Sequence, residues 1–371
     1  MRRRCLHWLC IAPLLAAAFY ATSCHREDNY VVVYVSADEQ VARPILAAFT
    51  RDTGIEVRPL FDTEVTKTTG LANRLNREKD RPIADVFWSS EPFAVNQLAQ
   101  DGVLCAVESA KFKEHPAQFK DSIGRWFAFA GRGRVIVYDP DRLAVEDRPS
   151  AWTDLTKSRY RDQIVMADPR FGTTRGHMGA MKAFWNDRAM PGYYEAWLEG
   201  LAENGARMLP GGNSAVVDAV SRGEVLLGLT DTDDVWAAQE RGLRVELIYP
   251  RHDLEGESGG GTLLVPNAAG IVCGGPNPEG ATRFLEYLIS QAVEEALHDS
   301  PSHNVPLAWA DAIEIEEPFQ VPDPLVISIS DAAKAMDPAV QEAMRRLDPA
   351  SIKAMRQSSP GRDLPEEEVR P

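Results

Sequence analysis

The sequence predicts an α/β fold built on a mostly parallel, doubly wound sheet. Short runs rich in β-branched residues alternate with amphipathic stretches at helical spacing, and glycine or proline separates many of them. Strands that alternate with helices in this way form parallel sheets covered by helices on both faces. The chain has 371 residues, 44% of them hydrophobic and 26% charged, so we expect about two globular units.

The first part of the chain contains three strand–helix units. Strands of β-branched and aromatic residues are predicted at 29–35, 55–61 and 84–88. A helix with an apolar stripe over 41–49 follows the first strand and is expected to end at Gly54. This spacing is what predicts parallel pairing of the three strands.

Polar residues directly follow two of these strands. In open α/β sheets, ligands bind beyond the carboxyl ends of the strands. The residues expected at that edge are Ser36, Asp38, Ser89, Ser90 and Glu91.

The middle and later parts of the chain continue the alternation. Residues 125–138 are predicted to form two extended stretches around Gly131-Arg132-Gly133-Arg134, as a crossing between two lobes. Further strands are predicted at 164–167, 225–227, 243–249 and 270–273, and helices at 177–185, 193–201, 235–241, 277–293 and 332–347.

Residues 1–23 have the layout of a signal peptide. Arginines at 2–4 precede an apolar stretch at 6–20 that is too short for a convincing membrane span. Small residues then lead to Cys24, as in a bacterial lipobox, so Cys24 is expected to be lipidated and to begin the mature chain. Ordinary signal-peptidase cleavage is the alternative. Both interpretations predict export, with membrane attachment through lipid only.

The net charge argues against a nucleic-acid partner, and the cysteine spacing argues against a cysteine metal site. The formal net charge of −15 argues against a nucleic-acid partner, because no basic field would collect phosphates. Cys105 and Cys273 remain after the signal segment and Cys24 are set aside, and they could pair or stay as buried thiols. No CxxC spacing is present, so the cysteines do not predict a metal site.

An acidic corner follows the predicted strand at 225–227. Asp231, Asp233 and Asp234 flank Thr232, and three acids exceed what one helix cap can use. Carboxylates this close repel one another. The corner is therefore either a solvated turn or a site for a ligand that brings positive charge or hydrogen-bond donors.

Two predicted helix starts are candidate anion sites. Gly172-Thr173-Thr174 and Gly212-Asn213-Ser214 combine backbone N–H groups, polar side chains and the positive end of a helix dipole. Simple helix capping is the alternative at both places. Together with the acidic corner, they predict a ligand with an anionic end and a cationic or hydroxyl-rich end, or a metal ion bound with an anion.

The sequence gives little support to an enzymatic function. The sequence contains no GxSxG, HExxH or P-loop. An exported hydrolase could use Asp231, Asp233 and Asp234 as its acids. It would still need a second catalytic side chain, for which the sequence offers no evident candidate. A chemosensory receptor of similar fold is a further alternative.

Six segments resemble the periplasmic ferric-iron-type solute-binding proteins of ABC importers. The resemblance spans residues 30–307, and its specificity lies in the order and spacing of the segments. They are 31–57, 84–93, 131–143, 167–181, 212–234 and 279–290.

The resemblance implies a type II periplasmic-binding-protein fold, with two lobes and a ligand cleft between them. It implies a non-enzymatic monomer in the periplasm or on the outer face of the cell membrane, which delivers a small ligand to an ABC permease. The bounds expected from it are a signal peptide at 1–23, a lipidated linker at 24–29, lobe 1 at 30–128 and 245–300, lobe 2 at 129–244 and 301–357, and a disordered tail at 358–371.

The resemblance also assigns the ligand. Iron binders of this type use two adjacent tyrosines, where this chain has Asp233 and Asp234. Asp38 takes the place of the family histidine, and Ser89 or Ser90 that of its glutamate, unless Glu91 reaches the site. The anion-contacting positions match at Gly172, Thr173, Thr174 and Asn213. No cofactor is required. The resemblance implies Fe(III) with a synergistic anion, for which Asp233 and Asp234 would be the metal ligands, whereas the residues themselves favour a phosphate or similar anion that carries an amine, hydroxyls or a metal. A phosphorylated sugar or aminophosphonate is the alternative.

Overall fold

The computed structural model describes residues 29–62, 68–188, 190–253 and 256–348. The predicted signal peptide, the predicted lipidation at Cys24 and the predicted tail at 358–371 lie outside these ranges. Among the described residues, no helix combines the length and apolarity needed to cross a bilayer.

The first strand–helix units form as the sequence pattern predicts. Gly54 ends the first helix with a φ of 72°, the left-handed conformation that glycine adopts at low cost. The elements are β1 (Tyr30–Val35), α1 (Glu39–Thr53), β2 (Glu56–Phe61), α2 (Thr69–Glu78), β3 (Val86–Ser89), α3 (Pro92–Gln100) and a short α4 (Ala110–Glu114).

One long strand joins the two halves of the molecule. β4 (Phe127–Tyr138) is buried along its whole length, so the two predicted stretches are a single strand. It is interrupted by a bulge at Ala130, whose φ is 32°. Extended pairing resumes on both sides of the bulge, and for this reason Gly131–Arg134 does not break the strand.

The second half repeats the alternation with shifted boundaries. The strand expected at 225–227 runs later, so that Asp231 ends it and the next helix begins at Thr232. The elements are β5 (Ile164–Ala167), α5 (Gly172–Asp187), α6 (Tyr193–Glu203), β6 (Arg207–Leu209), α7 (Gly212–Ser221), β7 (Leu227–Asp231), α8 (Thr232–Glu240) and β8 (Glu246–Ile248).

The remaining elements return to the first sheet. The strand expected at 270–273 lies earlier, and the helix expected at 277–293 is two helices with a break at Ile289 and Ser290. The elements are β9 (Leu264–Ile271), α9 (Pro278–Leu288), α10 (Gln291–His298) and α11 (Ile329–Leu347).

The strands follow the order β2-β1-β3-β9-β4-β7-β5-β6, with β8 paired to β4. β1 pairs in parallel with β2 and β3, and β5 pairs in parallel with β6 and β7. β9 and β4 are antiparallel to their neighbours. We call β1–β3, β9 and the first half of β4 lobe 1, and β5–β8 and the second half of β4 lobe 2.

A disulfide within lobe 1 and a helix that contacts both lobes stabilise the fold. Cys105 and Cys273 form a disulfide, which fixes the end of β9 to the segment after α3. α11 receives a hydrogen bond from each lobe. Gln97 Nε2 on α3 donates to the carbonyl of Ala333 at 3.2 Å, and Tyr194 Oη on α6 donates to that of Ala339 at 2.9 Å.

A candidate binding cleft

A cavity of about 260 Å³ lies where the carboxyl ends of the two sheets face each other. Both lobes and the connection between α10 and α11 line it. Its polar lining residues are Asp38, Ser90, Arg132, Asp168, Arg170, Thr173, Thr174, Asn213, Asp231, Asp233, Asp234, Asn267, Ser302 and Asn304.

Two buried arginines on β4 stand behind the acidic corner. Residues two apart on a strand face the same side, so Arg132 and Arg134 both point toward Asp231. Arg134 Nη1 donates to Asp231 Oδ1 at 3.0 Å, and Arg132 Nε lies 3.5 Å from Asp231 Oδ2. Arg132 Nη2 also donates to the carbonyl of Ser90 in lobe 1 at 2.5 Å.

Asp231 is the centre of a hydrogen-bond network. Its Oδ2 accepts from Thr173 Oγ1 at 2.5 Å and from Asn213 Nδ2 at 2.8 Å. Burial raises the pKa of Asp231, but Arg134 and Arg132 outweigh it, so the pKa lies below its usual value. Asp231 is therefore an ionised residue that organises the cleft.

Asp233 and Asp234 extend the acidic corner into the cavity. Asp233 Oδ2 lies 3.3 Å from Arg132 Nε. Asp234 accepts from Ser214 Oγ and from Thr230 Oγ1, each at 3.2 Å. One carboxylate oxygen from each of Asp231, Asp233 and Asp234 lies within 4.8 Å of the others. This spacing suits several oxygen ligands around one cation.

The helix starts at α5 and α7 form the donor-rich part of the cleft. Gly172, Thr173, Thr174 and Asn213 all line the cavity at the first turn of these helices. The Thr173 hydroxyl and the Asn213 amide are engaged with Asp231, and Thr174 Oγ1 accepts from Arg134 Nη2 at 2.9 Å. The backbone N–H groups of a first helical turn have no partner within the helix, so they are the donors available to an anion.

Some residues that the sequence placed at the site have other positions. Ser36 and Ser89 lie in a buried hydroxyl cluster with Thr68, behind the cavity wall. The Thr232 hydroxyl accepts from the N–H of Gly133 at 3.1 Å. Ser214 lies in the outer part of the cleft, beside Asp234.

Glu91 does not line the cavity. Its carboxylate caps α3 by accepting from the N–H groups of Phe93 at 2.6 Å and Ala94 at 3.2 Å. Burial raises the pKa of Glu91 to about 7, against the lowering effect of these bonds. The cap explains why an acid follows β3.

The sequence did not predict several of the residues that line or support the cleft. Arg132 and Arg134 were interpreted only as part of a crossing, although arginines alternating with glycine inside an apolar strand were a signal of buried charge. Asn267, Ser302 and Asn304 come from β9 and from the α10–α11 connection. Only the tertiary fold brings them to the cleft, so no local pattern could have identified them.

A cleft between two α/β lobes, lined by both and by polar groups of both signs, defines the architecture of a solute-binding protein. Residues 81–324 match the family described as bacterial extracellular solute-binding protein, and the chain belongs to that family. The predicted two-lobed fold and the predicted resemblance to ferric-iron-type binding proteins of ABC importers are confirmed.

Named relatives agree with this assignment. The major ferric iron-binding protein of Neisseria meningitidis is 27% identical over 289 residues, which cover 76% of this chain and 82% of the relative. The structure is similar to iron-bound HitA from Pseudomonas aeruginosa, with a TM-score of 0.71, 21% identity and coverage of 85% and 99%. It is also similar to AfuA from Actinobacillus pleuropneumoniae, solved with fructose-6-phosphate, with a TM-score of 0.71, 17% identity and coverage of 86% and 99%.

Proposed function

We propose that this protein captures ferric iron together with an anion in the cleft between its lobes and delivers both to an ABC permease. The observation that supports this most directly is the excess of carboxylate in the cavity. Asp38, Asp168, Asp231, Asp233 and Asp234 line it, against two arginines in the lining and Arg134 behind them.

The charge balance identifies the residues that would hold the metal. Asp168 pairs with Arg170, and Asp231 is held by Arg134. Asp38, Asp233 and Asp234 share the charge of Arg132 with Asp231. Ferric iron is a hard cation that prefers oxygen ligands, and carboxylates supply them without the tyrosines of the resembled iron site. The helix starts at α5 and α7 would bind the accompanying anion.

Titration calorimetry with Fe(III) and phosphate tests the proposal. We expect the wild type to bind the pair with 1:1 stoichiometry, and the double variant Asp233→Asn, Asp234→Asn to lose at least 100-fold in affinity, because two charged ligands are removed. Binding should also leave the protein without an intense visible band, since no tyrosine lines the described cavity. A matched control is Asp218→Asn, an acid on α7 that lies outside the cavity and has a side chain 46% exposed. Equal Fe(III) affinity in the wild type and the double variant would rule out this site.

A phosphorylated sugar is the second candidate ligand. The AfuA structure, which carries fructose-6-phosphate, shares this fold. In this interpretation the helix starts bind the phosphate, and Asp233 and Asp234 accept hydrogen bonds from sugar hydroxyls. Thermal-shift measurement with fructose 6-phosphate in iron-free buffer distinguishes the two ligands, because only the second candidate predicts stabilisation there. Aminophosphonates belong in the same screen.

The proposal also includes the location of the protein, its attachment to the membrane and its oligomeric state. Relatives include proteins named as periplasmic iron binders and as a periplasmic-binding protein of an ABC transporter. We propose that this chain is a periplasmic monomer held to the membrane by a lipid on Cys24. The lobe bounds 30–128 with 245–300 and 129–244 with 301–357 remain our prediction. Membrane fractionation of wild type and Cys24→Ala tests the anchor, since the variant should leave the membrane fraction.

A further inference from the structure

Arg132 places a positive charge among the carboxylates that the proposal above assigns to the metal. Its Nε lies 3.3 Å from Asp233 Oδ2 and 3.5 Å from Asp231 Oδ2. Burial lowers the pKa of Arg132, but these two carboxylates and those of Asp38 and Asp234 outweigh burial, so the pKa lies above its usual value. The guanidinium is therefore charged, and it is a cation that all four carboxylates share.

Charge holds Arg132 in place more than hydrogen bonds do. In the part of the chain that the structure describes, its side chain donates one hydrogen bond, from Nη2 to the carbonyl of Ser90. Its Nε–H is buried and donates to no acceptor, although two carboxylates lie close to it. Arg134, by contrast, donates four hydrogen bonds, to Asp231, Asn213, Thr174 and the carbonyl of Leu229. Arg132 can thus leave the acidic corner at a lower cost than Arg134 can.

The backbone on both sides of Arg132 is fixed. β4 passes at this point from pairing with β9 to pairing with β7. Gly131 exchanges backbone hydrogen bonds of 2.7 and 2.6 Å with Val305, and the N–H of Gly133 donates to Thr232 Oγ1 at 3.1 Å. A Cβ atom at Gly133 would lie 3.2 Å from Thr232 Cγ2, so the strand is closely packed here. A cation that enters the acidic corner can therefore displace the side chain of Arg132 but not the strand.

A metal ion held by the acidic corner would lie close to this guanidinium. Carboxylate oxygens of Asp231, Asp233 and Asp234 lie within 4.8 Å of one another, and Arg132 Nε is within 3.5 Å of two of these carboxylates. Like charges at such distances repel strongly in a buried site, and the repulsion grows in proportion to the charge of the metal. Moving the guanidinium away, or keeping it beside the metal, lowers the affinity in either case.

We propose that Arg132 is a counterion built into the acidic corner, which competes with the metal ion for the carboxylates and so weakens metal binding. This inference rests on the proposed function, because it concerns a metal cargo at the same site. When the metal leaves, the guanidinium neutralises the corner again. Arg132 therefore favours release of the cargo to the permease.

Titration calorimetry with Tb(III) and with Ca(II), in phosphate-free buffer, tests the proposal. Both cations prefer oxygen ligands and they are similar in size, but they differ in charge. Arg132→Gln should bind Tb(III) at least tenfold more tightly than the wild type does, and the gain for Ca(II) should be smaller, because the repulsion scales with the charge of the metal. Arg132→Lys keeps the positive charge and should stay closer to the wild type with both cations. Unchanged or weaker Tb(III) binding in Arg132→Gln overturns the proposal.

Thermal denaturation separates this role from a purely structural one. Without added cation, Arg132→Gln should melt at a lower temperature than the wild type, because buried carboxylates lose a counterion, and Ca(II) should restore much of the loss. If the variant does not fold without cation, Ca(II) should restore folding. The matched control is Arg125→Gln, since Arg125 Nη2 lies 2.9 Å from Asp121 Oδ1 outside the cavity, and Ca(II) should not restore its stability. Equal recovery in both variants, or no recovery in Arg132→Gln, contradicts the counterion role.

The outcomes distinguish this inference from the proposed function. Fe(III) binding by the wild type, together with unchanged Tb(III) affinity in Arg132→Gln, overturns the counterion role and leaves the ferric cargo intact. Tighter Tb(III) binding in Arg132→Gln, together with no binding of Fe(III) and phosphate by the wild type, overturns the ferric cargo and supports the counterion role. Absence of cation binding in the wild type and in both Arg132 variants overturns both.

Discussion

At the scale of single residues, the cleft depends on charge compensation that the local sequence conceals. The acidic corner suggested a ligand with positive charge, because three close carboxylates had no visible partner. Arg132 and Arg134 lie about one hundred positions earlier and satisfy much of that need. The sequence could predict the acids and the helix starts. The pairing of the acids with the two arginines depends on the order of the strands in the sheet, which no single stretch encodes.

Arg134→Met should be strongly destabilising. The variant removes the main partner of the buried Asp231 carboxylate and also releases Thr174 and Asn213. Breaking a buried ion pair in this way costs about 3–5 kcal/mol, which chemical denaturation would measure. Arg51→Met, which removes the exposed pair with Asp52, is the control and should cost at most about 1 kcal/mol. Similar losses in both variants would contradict the structural role assigned to Arg134.

At the scale of elements, the sequence predicted which strands exist, and their order along the chain, better than it predicted the residues at which they begin and end. β5 lies where the apolar run at 164–167 predicted it. β7 extends through Asp231, because pairing with β4 and β5 favours a longer strand than the apolar run at 225–227 suggests. This shift places Asp231 at the end of a buried strand, where its carboxylate bonds Arg134, Thr173 and Asn213 instead of capping α8.

The contact between α3 and α5 crosses from lobe 1 to lobe 2 and depends on a missing side chain. A Cβ atom at Gly176 would lie 2.3 Å from Phe93 Cδ2. Gly176→Ala should therefore destabilise the protein by about 1–3 kcal/mol, although alanine favours helices. Thermal denaturation measures this loss. In a Phe93→Ala background the same substitution should be nearly neutral or stabilising, and a full penalty there would exclude this contact as its cause.

At the scale of the whole molecule, a buried histidine pair makes stability depend on pH. His177 Nε2 and His252 Nε2 lie 3.3 Å apart, and His252 Nδ1 donates to the carbonyl of Gly261 at 2.7 Å. Burial, assisted by the charge of Arg134, lowers the pKa of His177 well below its usual value. Burial lowers the pKa of His252 to about 4. Both side chains are therefore neutral in the folded protein at pH 7.

Stability should fall as the pH decreases from about 6.5 toward 4. In this range the unfolded chain takes up protons on these histidines while the folded chain does not, so acid favours unfolding. His252 alone should cost about 2 kcal/mol at pH 5 relative to pH 7. Denaturation midpoints at the two pH values measure the effect. His252→Gln cannot titrate at this position and should show a smaller difference, and an unchanged difference would argue against the pair.

The disulfide between Cys105 and Cys273 has a consequence for how the chain matures. Cys273 and β9 follow lobe 2 in the chain, so the edge of β3 that β9 covers stays uncovered until late in synthesis. The strands and helices between β4 and β8 are complete by then. Until then this edge presents unpaired backbone N–H and C=O groups, which can pair with another chain. The oxidation state of the two cysteines is thus a direct reporter of when lobe 1 closes around its last strand.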